Sequence, residues 1–208
     1  TTARYRIKCW MPAVIQENSP KSYLRQLIKQ RLQNAKYNVA FWICFIKLNW
    51  HMNIMYLHGL DSSPDEGKVS VLRERGHKVI TRHFDYRSEP DVFKKSLKLA
   101  KETDTNFIVG SSMGGYYGYW LGHALEVGQL LFNPAMPFRS VRVQSQDIEE
   151  KPHVGSYVVL GAKDDNMPAT FNISFFSTRQ SARVVTCEWL GHKVDLDTFR
   201  QMCLWAGL

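Results

Sequence analysis

The sequence predicts an α/β protein with a largely parallel sheet covered by helices on both faces. Three observations carry this. From Met52 onward, short apolar runs alternate with stretches of helical periodicity. The loops after Leu57, Val109 and Leu160 carry Gly together with Ser or Asp, at the strand ends where such folds bind ligands. The 208 residues, 44% apolar and 22% charged, suffice for one globular domain with an appended segment and lie far from the composition of disordered chains.

Taken in order, Ile54 to Leu57, Val79 with Ile80, Phe107 to Val109, Leu130 to Phe132, Tyr157 to Leu160 and Val184 to Cys187 read as strands. Between and after them, about 65–76, 89–103, 113–126, 168–179 and 195–206 read as helices. Strands separated by helices imply right-handed crossovers and parallel pairing, and they place ligands beyond the carboxyl ends of the strands.

The net charge of +8 suggests a nucleic-acid or membrane-surface protein until its position is considered. Residues 1–51 hold nine Lys and Arg against Glu17 alone, whereas residues 52–208 hold eighteen basic and eighteen acidic residues. Two segments are therefore expected: a basic leader, 1–51, of undefined role, and a compact domain, 52–208. Met52 is the expected start of that compact unit. Within the leader, Ser19 and Pro20 suit a helix start, and Leu24, Leu27, Ile28 and Leu32 recur at helical spacing. We read a helix over about 20–36 docked on the domain with a solvated basic face, and assign it no nucleic-acid partner. Val39 to Ile46 is an apolar run of eight residues, well short of the roughly twenty needed to span a membrane, and reads as a strand or buried patch. No signal-peptide pattern is seen, and Cys9, Cys44, Cys187 and Cys203 form no C-x-x-C pair, so reduced thiols and a cytoplasmic location are expected.

Chemistry concentrates in the loops after strands. The first reads His58-Gly59-Leu60-Asp61-Ser62-Ser63-Pro64, where a glycine directly after the strand turns the chain and leaves the following N–H groups free to form an oxyanion hole. The second, Gly110-Ser111-Ser112-Met113-Gly114, is G-x-S-x-G between a strand and a helix, the context a nucleophile elbow requires. Ser112 is the candidate nucleophile, and the Met113 N–H opens the helix beside it. Ser111 has the wrong register. Serine needs a base held by a carboxylate. Asp164 and Asp165 follow the fifth strand; His192 follows the sixth and is the histidine that comes after the acidic loop. The order Ser, Asp, His is that of α/β-hydrolases.

Three segments, Met52 to Pro64, Val109 to Tyr117 and Phe132-Asn133-Pro134-Ala135, resemble signature stretches of the small YqiA/YcfP-like bacterial esterases, and the resemblance runs in order over 52–208. It implies a compact α/β-hydrolase fold and serine-esterase activity on short acyl esters, with Ser112 as nucleophile and His192 as base. The pattern G-x-x-D-x-x-hydrophobic-P matches Gly161, Asp164, Met167 and Pro168 and favours Asp164 as the acid. Nearer relatives often place the aspartate directly after the glycine, where this chain has Ala162, so Asp165 stays open as the alternative.

The expected site comprises Ser112, Asp164 and His192, an oxyanion hole from Leu60 and Met113, and substrate contacts at His58 and Gly59. It calls for no metal or organic cofactor. The short connection after Phe132 leaves no room for a large cap domain; residues 134–151 can form only a flap over an open cleft. The same three side chains would equally serve a thioesterase or peptidase. A non-catalytic hydrolase-like scaffold carrying a basic interaction helix is the reading from another class. Oligomeric state is not legible.

Overall fold

The computed structural model describes residues 51–136 and 148–208. The helix expected over 20–36, the apolar run 39–46 and the central part of the flap lie outside these residues. The elements are β1 (Asn53–Leu57), α1 (Glu66–Glu74), β2 (Lys78–Thr81), α2 (Val92–Glu102), β3 (Phe107–Ser111), α3 (Met113–Leu125), β4 (Gly128–Phe132), β5 (Ser156–Gly161), α4 (Ala169–Phe176), β6 (Ala182–Cys187) and α5 (Leu196–Ala206).

The six strands form one sheet in the order β2-β1-β3-β4-β5-β6, with every pair parallel. The chain moves outward from β1 to β2, then returns across β1 to start β3. Order reverses at the β1/β3 pair, which is where an open α/β sheet leaves a crevice at its carboxyl edge.

Alternation along the strands divides the core in two. Met55 and Leu57 of β1, Ile108 of β3, Leu131 of β4, and Val158 and Leu160 of β5 face α2, α3 and α4. Ile54, Tyr56, Val109, Leu130, Phe132 and Val159 face α1 and α5. Burial on both faces explains why these strands read as continuous apolar runs in the sequence.

Helix ends follow side-chain chemistry. Asp65 accepts from the Lys68 N–H to open α1, and Asp195 accepts from the Thr198 N–H to open α5. α5 ends at Gly207 with φ +89°. α2 is shorter than predicted because Asp85, accepting from the N–H groups of Arg87 and Ser88, folds the preceding residues into a turn. β4 begins earlier than its apolar run: Gln129 is fully buried, with its Nε2 donating to Ser156 Oγ at 2.9 Å.

The sheet face of α3 carries glycine where the helix descends onto the strands. A Cβ on Gly110 would run into the Gly114 carbonyl, and a Cβ on Gly114 would run into the carbonyls of Leu57 and His58. Backbone therefore packs on backbone at the start of α3. Gly114→Ala is expected to lower the free energy of unfolding by about 1–3 kcal/mol or more, the cost of overpacking a rigid contact, read by urea denaturation.

Burial lowers the pKa of His58, His77 and His123 from the ordinary value of 6.5. His123 shows why neutrality is needed: its Nδ1 accepts the Lys151 N–H at 2.8 Å, tying the end of the β4–β5 connection to α3. The unfolded chain therefore binds more protons than the native state just below pH 6.5, so this contribution is complete above that pH and declines as pH falls towards the depressed native values. The Tm should fall between about pH 7 and pH 5, and fall less steeply in His123→Gln, as a thermal-melt series would measure.

Candidate functional site

Four loops at the carboxyl edge, those after β1, β3, β5 and β6, meet around Ser112. Ser112, between β3 and α3, has φ 54° and ψ −117°, a conformation rarely populated by a residue with a side chain. It is imposed by the close packing of α3 on the strand ends and held by the Ser112 N–H donating to the Phe132 carbonyl at 2.9 Å. This twist lifts the hydroxyl above the sheet. Ser111 stays in β3, paired with Phe132.

His192 Nε2 lies 3.1 Å from Ser112 Oγ, and His192 Nδ1 lies 2.8 Å from Asp164 Oδ2. A carboxylate only accepts, so the Nδ1 proton points to Asp164 and Nε2 is left to accept from the serine hydroxyl. The Asp164 side chain is fully buried. Its Oδ1 takes the N–H groups of Asn166 and Met167 at 3.0 and 2.8 Å, which fixes the plane of the carboxylate. Asp165 is exposed, and no hydrogen bond ties it to His192 among the described contacts. The two candidate acids thus occupy different environments, and the one at the third position after Gly161 faces the imidazole.

The acid and histidine loops touch through backbone. Lys163 N–H donates to the Leu190 carbonyl at 2.9 Å, and Ala162 N–H to the Cys187 carbonyl at 3.0 Å. Gly161 has no space for a side chain, because a Cβ would strike the carbonyl of Leu190.

The loop after β1 passes the nucleophile on its other side: a Cβ on Gly59 would lie 3.5 Å from Ser112 Cβ. Leu60 follows in the same loop, and Met113 opens α3 with an N–H that has no intrahelical acceptor. His58, expected as a substrate contact, is only 1% exposed. Its Nε2 accepts the Phe84 N–H at 2.9 Å and its Nδ1 lies 2.7 Å from the Gly59 carbonyl, so the Nδ1 proton is directed there. The ring stacks on His83 with centroids 5.2 Å apart, and Tyr86 donates to the His58 carbonyl at 2.9 Å. His58 holds the loop, and its proximity to the site comes through backbone.

Sequence reasoning missed the partners of this loop on the β2–α2 connection. Arg87 makes a two-pronged ion pair with Asp61, Nε–Oδ1 at 2.7 Å and Nη2–Oδ2 at 2.6 Å. Asp61 itself has φ 53°. Together with Ser62, His83 and Tyr86 these residues line a pocket of about 280 Å³ beside the loop. Two charges 26 residues apart carry no local signal that they pair. Among the described residues, no cluster of three or more His, Cys, Asp or Glu is placed to hold a metal, and no helix is long and apolar enough to cross a membrane. Cys187 and Cys203 are buried free thiols, each pushed up to about 12 by burial.

Solved structures share this architecture. A protein assigned to the alpha/beta hydrolase superfamily from Xanthomonas campestris pv. campestris superposes with a TM-score of 0.60 at 18% identity, covering 75% of this chain and 95% of its own. Est1E from Butyrivibrio proteoclasticus gives 0.56 at 14% identity, covering 78% and 90%, and has also been solved with ferulic acid bound. An alpha/beta hydrolase enzyme from a sediment metagenome of the Mar Chica lagoon, Morocco, gives 0.61 at 13%, covering 76% and 89%. At these identities the likeness concerns the fold, which is that of the α/β-hydrolases. Residues 53–188 match the sequence profile described as Uncharacterised protein family (UPF0227), the YqiA/YcfP-like group, and the chain belongs to that family.

Proposed function

We propose that the chain is a serine esterase that cleaves short-chain carboxylic esters through an acyl-enzyme. The observation that carries the reading is the unbroken series of contacts from Ser112 Oγ through His192 to Asp164, at 3.1 and 2.8 Å, on a serine held in a strained turn.

His192 Nε2 takes the hydroxyl proton as Ser112 Oγ attacks the ester carbonyl. The carbonyl π bond breaks, and the resulting oxyanion is held by the N–H groups of Leu60 and Met113. The oxyanion collapses as the C–O bond to the alcohol breaks, and the proton on His192 passes to the departing alkoxide. Water then enters, gives its proton to His192 and attacks the acyl-enzyme; the second collapse returns the proton to Ser112 and frees the acid. Asp164 keeps the imidazole in the tautomer that accepts at Nε2 and stabilises the imidazolium formed twice in the cycle. Loss of one oxyanion donor would cost about 2.7–4 kcal/mol in the transition state.

Substrate size follows from the connection between Phe132 and Ser156, which is too short for a folded cap. An open cleft buries little of a long acyl chain, which favours short ones.

A fluorophosphonate probe should label the wild type and fail to label Ser112→Ala; folded wild type that resists labelling points instead to a non-catalytic scaffold. On p-nitrophenyl esters, acetate and butyrate should exceed palmitate in kcat/KM, and the reverse order would contradict the open cleft. A panel including thioesters and peptides tests which bond is preferred. Asp164→Asn should lower kcat by roughly 10⁴-fold, whereas Asp165→Asn should stay within about twofold, as steady-state kinetics would show.

A further inference from the structure

We infer that Asn133 is a positioning residue for His192, and that the segment Phe132-Asn133-Pro134-Ala135 is the brace that fixes nucleophile and base relative to one another. This rests on the roles proposed above for Ser112, His192 and Asp164.

Asn133 follows β4 directly, lies two strands away from the histidine loop, and is 1% exposed. Its backbone N–H donates to the Val159 carbonyl at 2.8 Å, extending the β4–β5 ladder by one residue. Its side chain then reaches across β5. Oδ1 accepts the Gly161 N–H at 2.7 Å, while Nδ2 donates to the carbonyls of Gly191 at 2.9 Å and His192 at 3.1 Å. The amide cannot be flipped, since its oxygen must face an N–H and its nitrogen two carbonyls.

The two carbonyls belong to the peptide units on either side of the His192 Cα. Pinning both fixes the backbone dihedrals of that residue, and with them the direction of its Cα–Cβ bond. The third contact, to Gly161, holds the residue from which the Asp164 loop departs. One buried amide therefore sets the origin of the base and of the acid.

The neighbours of Asn133 secure the nucleophile. Phe132 accepts the Ser112 N–H at 2.9 Å, and the Ala135 N–H donates to the Ser112 carbonyl at 3.0 Å. Pro134 packs on α3, where a Cβ on Gly115 would approach its Cα to 3.0 Å. Asn133 has φ 42°, in the left-handed region. Asparagine combines tolerance of that region with an amide of the right reach. Aspartate fits the same conformation but turns an acceptor toward two carbonyls, and glycine fits but makes no contact.

The test compares wild type with Asn133→Gly, which keeps the backbone conformation and removes the amide, and Asn133→Asp, which keeps size and the Gly161 contact and removes the donors. Circular dichroism and Tm establish folding. Active sites are counted by exhaustive fluorophosphonate labelling of separate aliquots, and kcat and KM for p-nitrophenyl acetate are expressed per labelled site. We expect kcat per site to fall roughly 10- to 100-fold with KM within about threefold, since a misplacement near 1 Å can cost about 10²-fold. The low-field proton resonance of His192 Nδ1–H should weaken in both variants and persist in Ser112→Ala. A purely structural role would reduce Tm and the number of sites but leave kcat per site and the resonance unchanged, and that result overturns the inference. Wild type that is not labelled at Ser112 overturns the proposed triad itself, a result separable from an unchanged kcat per site.

Discussion

The contact on which the site depends is the meeting of bare backbone where α3 starts. Gly110 and Gly114 approach so closely that neither can carry a methyl group, and Gly114 lies against the last carbonyls of β1. A normal helix–sheet spacing would leave room for an ordinary turn at Ser112. The shortened spacing forces the turn through φ 54° and ψ −117°, at a conformational cost of about 1–3 kcal/mol that the surrounding packing must offset. Gly118 continues the seam beneath the helix, 3.1 Å from Ile108 Cγ2 at its absent Cβ, so the whole first half of α3 rides low on the sheet.

Around that contact, rigidity is supplied by two different means. On the β1 side it comes from rings: His58 stacks on His83 and meets Tyr86, which in turn packs on Tyr117 of α3 with centroids 5.0 Å apart. On the β4–β6 side it comes from hydrogen bonds between loop backbones, with a single buried amide at their centre. Aromatic layering tolerates small lateral adjustments, whereas a hydrogen-bonded brace does not. The loop after β1 is thus the more adaptable wall of the crevice, and the loop bearing His192 the less adaptable one.

Much of this was legible in the chain. The apolar runs located all six strands, most plainly β1, β3, β4 and β5, whose burial on both faces leaves no polar alternation to confuse the signal. Glycine spacing marked the elbow, and the order of Ser112, Asp164 and His192 suggested which loops should meet. Boundaries were less legible where a polar residue is buried with a partner, as Gln129 is with Ser156, or where a turn consumes the expected first residues of a helix, as before α2. That Asp164 rather than Asp165 lies against the His192 ring was not legible, because adjacent carboxylates in a loop differ only by which way the chain turns. Asn133 was visible as part of a signature stretch but carried no hint of its contacts, which reach residues nearly sixty positions away. The burial of His58 was likewise illegible, since its place directly after a strand gives no sign of the ring's partners.

The place of β6 at the end of the described strand order has a kinetic corollary. The elbow is anchored in central strands, but the imidazole is delivered by the loop that leaves β6, which among the described residues is a border strand flanked only by β5. Border strands and terminal helices are the parts of a domain that open first in sub-global fluctuations. Warming or mild denaturant should therefore detach the imidazole while Ser112 still sits in its turn, ahead of the bulk loss of secondary structure.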